Sequence, residues 1–194
     1  MENKTHYVFG YGSLVNVDLL EQFLNRKINP CDWKLCNLNG FRRIWNIAMD
    51  NYLNLSGYKY YIDSKTGRRL KIYVVFLNIY QVKQELVNGI IFKVTSSELK
   101  KIDKRERNYE RININKFLDL NLTQPCWTYI GLKEAEIRYK RGLELNTAFI
   151  NINYYNNVIN AFSSHGIGFL YRFKRSTANF EVPFINLRPI TIED

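Results

Sequence analysis

His6-Tyr7-Val8-Phe9-Gly10-Tyr11-Gly12-Ser13-Leu14 reads as a short strand that breaks into a glycine-containing loop. Tyr7, Val8 and Phe9 have strand character, and Gly10 and Gly12 permit positive φ or close backbone approach. Val17-Asp18-Leu19-Leu20-Glu21-Gln22-Phe23-Leu24 follows with helical spacing. A strand, a glycine loop and a helix in that order present backbone N–H groups at a helix N-terminus, where they meet an anionic or oxyanionic group. The same connection also serves as a plain structural turn, so its meaning rests on the rest of the chain.

At 194 residues the chain is expected to form a single domain, 1–194, with its own core. No apolar run approaches the length of a membrane span. Met1 to Thr5 lacks the apolar segment of a signal peptide. The expectation is a cytoplasmic chain with no membrane partner. Cys31, Cys36 and Cys126 form no Cys-x-x-Cys pair, and His6 and His165 lie far apart, so free thiols and no metal site are expected. The net charge of +10 gathers at 65–71, 100–111, 138–141 and 172–175. Such a balance suits nucleic acid, or steering of a small anionic substrate. No helix-turn-helix, zinc-finger or RNA-recognition signature accompanies it, and solvated basic faces also explain it.

Beyond the opening unit, Asp32 to Ala48 reads as one or two strands with Asn39-Gly40 as a kink or turn. Asp50 to Gly67, rich in Asn, Tyr, Ser and Gly, reads as irregular or as an exposed hairpin. Lys71 to Leu77 and Val87 to Val94 are strong strands, and Gly89 marks a bulge or close backbone contact. Thr95-Ser96-Ser97-Glu98 matches a capping box and opens a helix. On that helix Leu99, Ile102, Asp103 and Glu106 fall at i, i+3, i+4 and i+7, one face. Most other charges lie off this stripe. Glu106 therefore points inward, as half of a buried-edge salt bridge to a nearby Arg or as a partly desolvated carboxylate suited to proton transfer, unless the helix is already frayed there by Asn108. Further strands are expected at Tyr109 to Phe117 and Cys126 to Ile130, and helices at Asn151 to Phe162 and Ile167 to Phe173. An extended tail runs from Val182 to Pro189. The class is α+β.

These residues resemble a known family. Phe9-Gly10-Tyr11-Gly12-Ser13-Leu14 is similar to the Y-G-S-L signature of the γ-glutamylcyclotransferase-like superfamily, whose members act on γ-glutamyl amino acids, γ-glutamylamines or glutathione. Leu38 to Arg43 and Val87 to Val94 resemble that family's next strands. Ile102-Asp103-Lys104-Arg105-Glu106, followed by Tyr109, resembles the segment carrying its essential glutamate. Tyr155 to Gly166 and Phe173 to Thr177 resemble the closing helices of bacterial members.

The resemblance implies a compact mixed β-barrel with helices packed around it. It carries over Tyr11, Gly12, Ser13 and Leu14 as a substrate-binding loop, Glu106 as catalytic acid/base, and Tyr109 as cavity wall. The implied reaction closes a γ-glutamyl group to 5-oxoproline, releases an amine, amino acid or peptide, and needs no metal or cofactor. Asp50 to Gly67 aligns with no subfamily, which leaves the γ-glutamyl compound open. The alternative is a non-catalytic binding module on the same fold, for nucleic acid.

Overall fold

A computed structural model describes residues 4–56 and 58–192; of the Asp50 to Gly67 segment, Gly57 lies outside the described residues. Strand β1 (Thr5–Gly10) passes through a 3-10 turn, Ser13–Val15, into helix α1 (Val17–Leu24). The Asn16 side chain starts α1 by accepting the Leu19 N–H at 3.0 Å. Asn25, at φ 54°, ends it in the left-handed region. There follow β2 (Trp33–Asp50), β3 (Lys59–Asp63), β4 (Tyr73–Thr95), α2 (Ser96–Arg105), β5 (Tyr109–Asn113) and β6 (Cys126–Gly131). The chain closes with α3 (Lys133–Glu144), β7 (Ala148–Asn151), α4 (Ile152–Ser164), α5 (Ile167–Arg175), β8 (Phe184–Ile185) and β9 (Leu187–Thr191). The fold is α+β, as expected, built on a large mixed sheet.

Of the one or two strands read between Asp32 and Ala48 the structure forms one, β2, which starts at Trp33, and Asn39-Gly40 is its kink: Gly40 adopts φ 77° and the register against β4 shifts between Asn39 and Phe41. The strands expected at Lys71–Leu77 and Val87–Val94 are likewise one, β4. Between them Tyr80 to Leu86 is largely exposed, with Gln84 at φ 66°, so the polar stretch is a solvated irregularity in one strand rather than a loop. Gly89 keeps register, so it is the close contact and not a bulge: a Cβ there would lie 2.2 Å from the Gly10 carbonyl oxygen.

The arrangement around β4 creates the site. β2 pairs with β4 along one edge. The other edge is shared, with β1 antiparallel to Ile90–Thr95 and β7 parallel to Tyr73–Val75. Both strands run toward the middle of β4 and stop short of it, leaving 76–89 with neither beside it. The sheet extends from β1 through β6 and β5, and from β7 through β8.

The segment expected to be irregular contains β3, which pairs antiparallel with β9 in a separate two-stranded sheet. Asn51, fully buried, fastens it: its amide donates to the Tyr61 carbonyl (2.9 Å) and the Leu70 carbonyl (3.0 Å), and accepts the Tyr61 N–H (2.7 Å). A small apolar cluster of Met49, Tyr61, Ile72, Val74, Phe76 and Leu187 lies here, apart from the main core. The tail expected to be extended supplies β8 and β9. No helix among the described residues is long and apolar enough to cross a membrane. Cys36 and Cys126 are buried and Cys31 is exposed, all three as free thiols.

Candidate active site

The capping box at the start of α2 forms as read. The Thr95 side chain accepts the Glu98 N–H (3.2 Å), and the Glu98 carboxylate accepts the Thr95 N–H (2.8 Å). The helix ends one residue sooner than the stripe suggests. Glu106 is its C-terminal cap, with its N–H still bonded to the Ile102 carbonyl at 2.9 Å. Asp103, on the same inward line, is spent on structure: it accepts from Arg111 (2.6 Å) and from the Tyr129 hydroxyl (2.8 Å).

Glu106 lines a recess with Phe9, Tyr11, Gly12, Ser13, Leu14, Leu77, Tyr109, Tyr129 and Tyr154. Tyr11, Gly12, Ser13, Leu14, Glu106 and Tyr109, the site residues read from the sequence, therefore lie at one place. The recess opens where β1 and β7 part on β4. The Tyr11–Leu14 loop continues β1, and Tyr154 stands in the first turn of α4, which continues β7. A Cβ on Gly12 would lie 3.5 Å from both Leu77 Cδ1 and the Tyr154 hydroxyl, so the loop, the open length of β4 and α4 meet at this glycine. Gly10 allows the loop to double back, since a Cβ there would lie 2.7 Å from Leu14 Cβ.

Phenols surround the carboxylate, and each is anchored. Tyr11 donates to the Tyr129 carbonyl and Tyr109 to the Leu77 carbonyl, both at 2.7 Å. Burial, then the charge of Glu106, pushes the Tyr11 phenol well above its ordinary pKa. Tyr109 is raised by burial and by Tyr11 and Tyr154, and Tyr154 by burial and by Glu106. These groups stay neutral at physiological pH. Glu106 is the only acid lining the recess among the described residues, with its side chain 16% exposed. The salt bridge read as the alternative is also present: Arg105 Nε lies 3.4 Å from Glu106 Oε1, and Arg105 Nη2 donates to Ser13 Oγ at 3.3 Å. One guanidinium thus links the carboxylate to the loop.

Behind the loop lies Arg43, a residue the sequence reading left without a role. It is completely buried. Its Nε donates to the Tyr11 carbonyl (2.9 Å), Nη1 to Asn88 Oδ1 (3.2 Å) and Ser176 Oγ (2.6 Å), and Nη2 to the Asn88 carbonyl. Phe162 and Phe173 lie 4.9 and 4.8 Å from the guanidinium. Burial pulls its pKa down to about 9, which leaves it a cation at neutral pH. Leu77, Tyr129 and Tyr154 were also missed as wall residues. Strand alternation held Tyr129, but nothing in a single sequence separates it from core.

A second recess adjoins the first and shares Ser13, Glu106, Tyr109 and Tyr154 with it; Tyr58, Lys59, Phe76, Arg105 and Asn108 complete its wall. The two have volumes of about 30 and 50 Å³. The inner one holds about two waters, so a ligand larger than a few heavy atoms needs both lobes and some movement of their walls. A larger depression of about 540 Å³ over α1 is open, and both its cations are already paired, Lys27 with Glu21 at 2.6 Å and Arg26 with Glu98 at 2.5 Å.

No family model and no curated protein matches the chain. Among solved structures it is similar to one titled a gamma-glutamyl cyclotransferase, with a TM-score of 0.51, 12% identity, and 92% of each chain covered. It is also similar to an uncharacterized protein from Homo sapiens, with a TM-score of 0.53, 12% identity, and 92% of this chain and 93% of that one covered. At such identity the likeness is one of fold: the chain has the γ-glutamyl cyclotransferase fold.

Proposed function

We propose that the chain is a cyclotransferase for small γ-glutamyl compounds, with Glu106 as general acid/base and Tyr11, Gly12, Ser13 and Leu14 as the substrate-binding loop. The observation that carries this reading is the Glu106 carboxylate sharing one phenol-lined recess with that loop, on this fold. The neutral α-amine of a γ-glutamyl group attacks its own γ-carbonyl carbon, forming the C–N bond of a five-membered lactam. Glu106 takes the proton given up by the attacking nitrogen and hands it to the departing nitrogen as the old amide C–N bond breaks. The products are 5-oxoproline and a free amine, amino acid or peptide.

The nucleophile is tethered to its target, so the protein's part is to hold the folded conformer. Proton transfer by a positioned carboxylate contributes roughly 10²–10⁴-fold. Backbone N–H groups of the loop oppose the tetrahedral oxyanion, each donor worth on the order of 3 kcal/mol. Tyr109, anchored on Leu77, forms cavity wall. The reaction as written needs no cofactor.

The test is 5-oxoproline release from a panel of γ-glutamyl compounds by the parent and by Glu106→Gln, with folding checked by circular dichroism. The expected result is turnover by the parent and a loss of at least about a hundredfold in the variant. Unchanged turnover in Glu106→Gln removes its role. Salt-dependent binding of RNA or DNA, with no γ-glutamyl compound turned over, supports the binding-module reading instead.

A further inference from the structure

The outer recess carries chemistry that the cyclisation itself does not use. Its wall brings together two cations, Lys59 from β3 and Arg105 from the end of α2, against the single acid Glu106. Arg105 is already engaged with Glu106 and Ser13. Lys59 takes part in none of the ion pairs among the described residues. Its ammonium lies 5.5 Å from the centre of the Tyr61 ring and 5.8 Å from that of Phe76, so aromatic faces hold it at the lobe. Burial lowers its pKa, but Tyr61 and Tyr58 more than offset this and keep it above its ordinary value. Lys59 is thus a partly desolvated cation that forms no ion pair, since Glu106 in the same wall is engaged by Arg105, and such a group gains most from an anionic ligand.

The position of the lobe says which part of a substrate reaches it. The inner lobe, between the loop and Glu106, suits the amine and carbonyl that react. The departing half of the molecule must then extend outward past Glu106, Tyr109 and Tyr154, the residues both lobes share.

Resting on the function proposed above, we propose that the outer lobe is a carboxylate-binding subsite in which Lys59, with Arg105 beside it, holds a carboxylate on the leaving group. The substrates are then γ-glutamyl amino acids or peptides in preference to γ-glutamyl amines.

The test compares γ-glutamylalanine with γ-glutamylethylamine, which differs by the leaving-group carboxylate alone. Binding is measured by calorimetry on Glu106→Gln and on Glu106→Gln/Lys59→Met and Glu106→Gln/Lys59→Arg, and turnover on the parent. The expected result is tighter binding of the alanine compound, a preference that falls on the order of tenfold with Met and returns with Arg. Met keeps the apolar stem against Tyr61 and Phe76, and Arg restores the charge, so a folding defect does not imitate this pattern. If Lys59→Met weakens both compounds equally, the lysine holds the glutamyl carboxylate and the inference fails while the cyclotransferase reading stands. If the two compounds bind equally to Glu106→Gln, the inference likewise fails. If neither is bound nor turned over, both fail.

Discussion

The Arg43 guanidinium donates to the Tyr11 carbonyl at 2.9 Å from a position with no exposed surface. A buried cation thereby holds the backbone of the loop that faces Glu106, and its other donors go to Asn88 and Ser176. The loop is fastened to β4 and to the end of α5 through one side chain.

Arg43→Met is expected to lower stability by roughly 3 kcal/mol, because several buried acceptors lose their donor at about 1–3 kcal/mol each. Apolar packing against Phe162 and Phe173 recovers part of this. Arg43→Lys does not rescue it, since a single ammonium lacks the forked donors that reach Tyr11 and Asn88 together. Urea denaturation of both variants is the measurement; wild-type stability in either refutes the anchoring role.

Gly12→Ala separates folding from binding. Its new methyl meets Leu77 and the Tyr154 hydroxyl at 3.5 Å, ordinary contact distance, so the protein is expected to fold with near-parental stability. The methyl nonetheless fills an inner lobe that holds about two waters. Loss of γ-glutamyl binding with an unchanged melting temperature is the expected pair of results.

Gly89→Ala behaves in the opposite way. A Cβ there lies 2.2 Å from the Gly10 carbonyl oxygen and 2.7 Å from the Phe9 ring, and backbone cannot swing aside. A cost of about 1–3 kcal/mol is expected, read by thermal unfolding, together with displacement of the Tyr11–Leu14 loop that Gly10 leads into.

Alkaline pH supplies a linkage test. Burial raises Tyr11, Tyr109, Tyr129 and Tyr154 above the ordinary phenol value, so above about pH 10 the unfolded chain releases protons that the folded one retains. The stability these phenols contribute is complete below about pH 10 and falls as pH rises through and beyond it. Tyrosinate absorbance is expected to grow in step with loss of near-ultraviolet circular dichroism. Titration of these phenols near pH 10 in a folded protein contradicts their burial.

Local signals made much of this legible. Thr95 declares its helix through a capping box, and the β-branched runs of β4 declare strands. Helix α3 declares nothing. It starts at Leu132 without a side-chain cap, and the face it buries is made of Ala135 and Gly142, so no apolar stripe appears. β3 is hidden because its partner β9 is far away in sequence. Tyr11, Gly12, Ser13, Leu14, Glu106 and Tyr109 were readable as a group, from the resemblance and the stripe. Arg43 was not, since a charged residue among strand residues gives no sign of burial. Lys59 lay within a segment whose polarity looks like solvent exposure.

The separate small cluster beneath β3 and β9 bears on how this protein can change. The inner lobe is lined from β1, β4, β6 and the Tyr11–Leu14 loop, whereas Lys59 lies on β3, whose two-stranded sheet packs through Tyr61 and Leu187 on Met49, Val74 and Phe76 of the large sheet. On the proposed function, changes in 58–63 and 187–191 that keep Tyr61 and Leu187 retune the outer lobe while leaving Glu106 and the Tyr11–Leu14 loop in place. On that reading, the choice of leaving group and the closure of the lactam are written on different strands.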